Sequence, residues 1–135
     1  MADFQSFGSP AIFNENVTLY KDVEVGGNMN ITGNFIAASI TESSSITLKE
    51  NINPLINTLD KILQLNPVTY DRKNGLNKNE VGLIAEEVNK VIPNIVSKDS
   101  EGKLQGINYT RLSVYLIDAI KTLAKEVEQL KNGRT

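Results

Sequence analysis

The chain has no cysteine, no histidine and no tryptophan in its 135 residues. Without cysteine there are no disulfides and no thiol nucleophile, and without histidine the commonest catalytic base and metal ligand is missing. Any chemistry must therefore run on Ser, Thr, Lys, Tyr or carboxylates, and neither a metal nor another cofactor is expected. Aromatic residues are thin at 6%, although the hydrophobic fraction of 40% is ordinary for a soluble protein. A net charge of −2 with no basic run leaves no electrostatic footprint for nucleic acid. No stretch is long and apolar enough for membrane insertion, and the opening MADFQSFGSP lacks the basic start and apolar run of a signal peptide.

What the chain does have is a count in sixes. Val17, Val23, Met29 and Phe35 recur every six residues, as do Leu19, Val25, Ile31 and Ala37. Gly27 and Gly33 keep the interval, and so do Asn28 and Asn34, giving VEVGGN followed by MNITGN. Alternation of apolar and polar residues points to strands, and Gly-Asn at a fixed phase marks a turn in each repeat. So few repeats cannot close a core within one chain, because strands buried on one side need neighbours to cover them. Other copies of the same chain are the expected cover. Residues 17–43 read as a stalk segment of a trimeric β-fibre, of β-helix or β-prism type, with Val23, Val25, Met29, Ile31 and Phe35 in its trimer core. The hexads alone also fit a left-handed β-helix that binds a ligand, but such folds run many more coils.

Before the hexads, residues 1–16 hold Phe4, Phe7 and Phe13 among Gly, Ser, Pro and Asn, without a period. They read either as a flexible lead or as an aromatic-studded peptide that attaches to a larger assembly. After the hexads comes the polar junction Thr41-Glu42-Ser43-Ser44-Ser45, and the pattern turns helical. Asn53 suits an N-cap and Pro54 a first helical position, with Leu55, Leu59, Ile62 and Leu63 as an apolar face ending at Asn66-Pro67. Pro67 to Tyr70 reads as extended and Asp71 to Asn79 as a polar loop. A second helix carries Leu83, Ile84, Val88 and Val91 and stops before Pro93. Ile95-Val96 and Leu104 to Ile107 read as two short strands around Asp99-Ser100-Glu101-Gly102.

The last helix is expected from Asn108 or Tyr109 to Lys131. Leu116, Ile120, Leu123, Val127 and Leu130 alternate steps of four and three, a heptad seam with β-branched residues at a and Leu at d. Such a seam either joins copies or packs on its own domain. Its a and d residues lean towards parallel dimers, so the helix by itself does not argue for a trimer. The expected fold class is α+β: a β-fibre segment, then a mainly helical domain with a small β-hairpin and a coiled-coil-like final helix.

Five pieces in order carry a family likeness. They are Ser44, Leu48, Lys49, Asn51 and Ile52; Pro67-Val68 with Tyr70; Gly82 to Val88; Pro93 with Val96; and Tyr109, Leu112, Leu116, Ala119, Ile120, Lys121 and Leu123. In these, residues 44–135 resemble the peptidase S74 family, the intramolecular chaperone domain at the end of phage tailspikes and fibres. The resemblance implies a homotrimer whose chaperone domain holds three chains while the β-stalk folds. It also implies a virion tail or baseplate protein made in the host cytoplasm, with residues 1–16 as the attachment to other tail or baseplate proteins. In-register pairing of three chains is non-local and slow, so trimerising a helical domain first gives the stalk a high effective concentration.

The resemblance further implies self-cleavage between Ser43 and Ser44, with Ser44 as nucleophile and Lys49 as general base. A lysine serves as base only when neutral, a state that burial of its amine favours. Asn51 is a candidate to orient the base or bind the oxyanion. Two positions depart from the family's motif: Ser45 stands where Asp is usual, and Thr47 where Arg is usual. A cut before Ser44 would leave a product of 43 residues, so an uncleaved trimer retained in the particle is the alternative to a self-processing precursor.

Overall fold

The computed structural model of the chain describes residues 12–75 and 77–134. It divides into two units, Met1–Ser45 and Ile46–Thr135. The expected lead at residues 1–16 lies mostly outside the described residues.

In the first unit, residues 12–45 form no helix and no strand, and every one of them is exposed. The stalk core residues Val23, Val25, Met29, Ile31 and Phe35 are all open to solvent. The β-fibre expected here is thus not seen in the single chain. The reason follows from the pattern itself: a strand with one apolar face and no neighbour has neither ladder partners nor cover for that face.

The second unit is a mixed α+β fold with three helices and two separate antiparallel hairpins. Helix α1 (Thr58–Leu63) is followed by strand β1 (Val68–Tyr70) and β2 (Glu80–Gly82). Helix α2 (Ala85–Val91) leads through a 3₁₀ turn at Pro93–Ile95 to β3 (Val96–Lys98) and β4 (Leu104–Ile107), and α3 (Tyr109–Asn132) closes the order. In the first hairpin Val68 faces Gly82 and Tyr70 faces Glu80; in the second Val96 faces Ile107.

The core lies where α2, the 3₁₀ turn and α3 meet. Val88 and Ile92 are each 1% exposed and touch Ile95 and Tyr115, with Ile62, Leu65, Leu83, Val96, Ile107 and Leu112 packed around them. Two polar groups at its margin are paired as burial requires, whereas the buried Asn89 Oδ1 of α2 has no hydrogen-bond partner. The Tyr115 hydroxyl donates to Asn94 Oδ1 at 2.9 Å, and the buried Thr58 hydroxyl donates to Asp118 Oδ2 at 2.5 Å, tying α1 to α3.

Local chemistry accounts for most element boundaries. Glu86 and Glu87 sit in the first turn of α2 and Lys90 in its last, complementing the helix dipole, and Pro93 cannot continue the helix. Asp99 Oδ1 accepts from the N–H groups of Glu101 and Lys103, which folds the β3–β4 loop, and Gly102 supplies its left-handed residue at φ 81°. Asn108 caps α3 by accepting from the Arg111 N–H at 3.0 Å, while its own N–H donates to Ile95 O at 2.8 Å.

Four expectations need correction. Helix α1 begins at Thr58, not at Asn53-Pro54, because Asn57 is left-handed, at φ 54°, and a helix cannot pass through it. Asn53 instead donates its side-chain N–H to Asn51 O at 2.7 Å. Leu63 is exposed, and the inward apolar residues at this end are Ile62 and Leu65. Leu83 and Ile84 precede α2, and Ile95 belongs to the 3₁₀ turn, leaving β3 to start at Val96. Strand β2 was not expected, since three residues are too few to display alternation.

Candidate functional site

The junction carries the residues singled out for chemistry. Ser43, Ser44 and Ser45 are exposed at the end of the first unit, and the second unit opens with a single 3₁₀ turn, Ile46–Leu48. The Lys49 N–H closes that turn on Ile46 O at 3.1 Å, and the chain reverses at left-handed Asn51. The division between units falls between Ser45 and Ile46, so Ser43 and Ser44 belong to one unit and Lys49 and Asn51 to the other. Lys49 and Asn51 are exposed as well. The desolvated environment a lysine base calls for is not supplied around Lys49 by its own chain.

Helix α3 has two faces with opposite fates. Leu112, Tyr115 and Ala119 turn inward, Tyr115 and Ala119 being buried and Leu112 packed on the core. Asp118 holds Thr58 on the same side. The heptad seam points away: Leu116, Ile120, Leu123, Val127 and Leu130 are all exposed, Ile120 by 64%. Between the two expected fates of the seam, its own domain therefore does not cover it. Ile117, 60% exposed, adds to this stripe and was missed in the sequence. The signal available was its place directly after Leu116, at position e, which widens a two-residue seam into a broader apolar stripe.

A second apolar surface is lined by Pro67, Val81, Gly82, Leu83, Tyr109 and Leu112, where the first hairpin meets the start of α3. The Tyr109 hydroxyl accepts from the Leu83 N–H at 2.9 Å across it. On the far side of the hairpin, Glu80 accepts from Asn77 Nδ2 at 2.7 Å and from Arg72 Nε at 2.9 Å. The Asn77 hydrogen bond is the largest cause that holds the Glu80 carboxyl below its ordinary pKa, helped by the Tyr70 hydroxyl and Arg72 and opposed by partial desolvation. The bond to Glu80 is likewise the main cause that raises Tyr70.

Among the described residues, no group of three or more acidic residues is placed to hold a metal ion, and no helix is long and apolar enough to cross a membrane.

Residues 44–97 match the sequence model of the Peptidase S74 family, described as the chaperone of endosialidase. Over 113 residues the chain is 31% identical to the long tail fiber protein Gp37 of Enterobacteria phage K3, covering 78% of this chain and 9% of that protein. The Gp37 of Enterobacteria phage Ox2 is 30% identical over 131 residues, 91% of this chain and 51% of the relative. That of Salmonella phage S16 is 28% identical over 122 residues, 82% of this chain and 16% of the relative. The chain thus spans between about a tenth and about half of the length of these relatives.

Proposed function

Since the chain carries a chaperone-of-endosialidase domain of the peptidase S74 family and is homologous to phage long tail fibre protein Gp37, we propose that it works as a homotrimeric tail-fibre piece of the virion. In this reading the domain from Ser44 onward brings three chains together and so assembles the hexad stalk at residues 17–43. Residues 1–16 join other tail or baseplate proteins.

The observation that carries the association of copies is the outward seam of α3, while the number three rests on the hexads and the family. Five apolar residues in heptad spacing stand exposed beside the inward face that carries Tyr115 and Ala119, and leaving them in water is unfavourable at about 25 cal/mol per Å² of apolar surface. Covering them with other copies of the same helix removes that cost. Alignment of the C-terminal helices then places three stalk segments side by side, which supplies the ladder partners absent from a single chain.

Light scattering on the full chain tests the proposal. With cleavage blocked by Ser44→Ala, the expected mass is three times 14.9 kDa, with residues 17–40 resistant to protease. Leu123→Asp, which sets a carboxylate in the middle of the seam, should yield monomers and a protease-sensitive stalk. A wild-type chain that stays monomeric, or a Leu123→Asp trimer, refutes it.

Self-cleavage belongs to the proposal as an event that follows assembly. The exposed junction, divided between Ser45 and Ile46, favours a strand that can be reached and cut. The Ser44 hydroxyl attacks the Ser43 carbonyl while Lys49 takes its proton; the Ser43–Ser44 C–N bond breaks as Lys49 returns that proton to the departing Ser44 amine, and water hydrolyses the resulting ester to free the Ser43 carboxyl. Because Lys49 is exposed in its own chain, neighbouring copies must provide the burial that lets it act as a base.

A further inference from the structure

In the trimer reading the seam meets neighbouring copies, and the charges beside it specify a register. With Ile120 and Val127 at a and Leu116, Leu123 and Leu130 at d, Glu126 falls at g and Lys131 at e. In parallel helices a g residue lies beside the e residue five positions later on its neighbour. Glu126 and Lys131 are five apart. Both are exposed, and among the described residues neither takes part in an ion pair within its own chain. The flank that holds Glu126 also carries Asp60 and Asp118, with no basic side chain lining it, so it favours an incoming cation.

Resting on the trimer reading above, in which the α3 helices of the copies run parallel, we infer that Glu126 of each copy pairs with Lys131 of the next to fix their register. Ile117 and Ala124 at e leave the flank before Lys131 apolar, which broadens the contact beyond the a and d residues. The single charged pair therefore lies near the C-terminal end of the helix, where slippage by a heptad would leave both charges unmatched.

Charge exchange in the full chain tests this. Glu126→Lys alone and Lys131→Glu alone each replace three attractive contacts per trimer with three repulsive ones. Each should raise the concentration at which the trimer dissociates, measured by sedimentation at low salt, by roughly tenfold or more. The double exchange should restore it to within about threefold of the original, and salt should erase the differences. Glu128→Gln, a change three residues before Lys131 on the same helix, should have no effect. The absence of cysteine gives an independent check: Leu130→Cys, at d, should cross-link to the same residue of a neighbouring copy held in register and not to one slipped by a heptad. Single exchanges without effect, a double exchange as weak as the singles, or failure to cross-link in an intact trimer overturns the pair while leaving the trimer in place. A monomeric wild-type chain overturns the trimer reading itself.

Discussion

Adding one methyl group at Gly82 should destabilise the second unit far more than its size suggests. A Cβ there would lie 2.8 Å from the Tyr109 hydroxyl and 3.2 Å from Cε1 of Tyr70. The first distance is shorter than any ordinary carbon–oxygen contact, so Tyr109 must move. It cannot move freely, because its hydroxyl accepts the Leu83 N–H at 2.9 Å and its backbone begins α3. Overpacking of this kind costs about 1–3 kcal/mol, and losing the hydrogen bond adds about 1 kcal/mol. Gly82→Ala should therefore cost roughly 3 kcal/mol, a fall in Tm of 10 °C or more for a unit of this size. The assay is thermal unfolding of the full chain at fixed concentration, run as a cycle with Tyr109→Phe. Tyr109→Phe alone should cost about 1 kcal/mol and, by removing the clashing oxygen, should make Gly82→Ala cheaper by about 1 kcal/mol or more. A Gly82→Ala variant within about 0.5 kcal/mol of wild type, or two changes that simply add, would refute the reasoning.

Two further outcomes are expected. The Glu80 carboxyl is held below its ordinary value of 4.5 in the fold, so its contribution to stability is present above that value and is lost as pH falls through the lowered one. Tyr70 is raised above 10.0, so its contribution is present below 10 and is lost as pH rises through the raised value. An NMR titration should show Glu80 returning towards its usual range in Asn77→Ala, and an unchanged midpoint there would remove Asn77 as the main cause. For the junction, Ser44→Ala and Lys49→Met should each keep the full 14.9 kDa chain intact, with losses that do not add. A fragment beginning at Ser45, cleavage that persists in Ser44→Ala, or a wild-type trimer that never cuts would reject the assigned dyad.

Legibility in the sequence followed the range of the forces involved. Helix α3 was readable to within a residue at each end because Asn108 caps it locally and its heptads span many turns. The β3–β4 hairpin was readable because Asp99 and Gly102 act within their own loop. Helix α1 was misplaced because Asn53-Pro54 offers a good start, and only the left-handed Asn57 beside buried Thr58 prevents its use. The bond from Thr58 to Asp118 spans 60 residues, and no local pattern announces it. The same holds for Gly82: its place in a motif was visible, but the reason, a tyrosine from α3 lying against it, is tertiary. At the candidate site, Ser44, Lys49 and Asn51 could be named only through the family likeness, since a serine-rich junction followed by one lysine has no local pattern that sets it apart from a solvated linker.

The small core described above has a consequence for when this protein is stable. Among the described residues, buried hydrophobic side chains are confined to Val88, Ile92, Ile95, Tyr115 and Ala119, two of them on the inner face of α3. The outer face of that same helix is what the proposed trimer covers, so neighbouring copies act on the folding equilibrium as a ligand does. By mass action, the midpoint of unfolding should climb with protein concentration. A chain newly released from the ribosome, at low local numbers, would hold its fold loosely, and each later arrival would tighten all those already present.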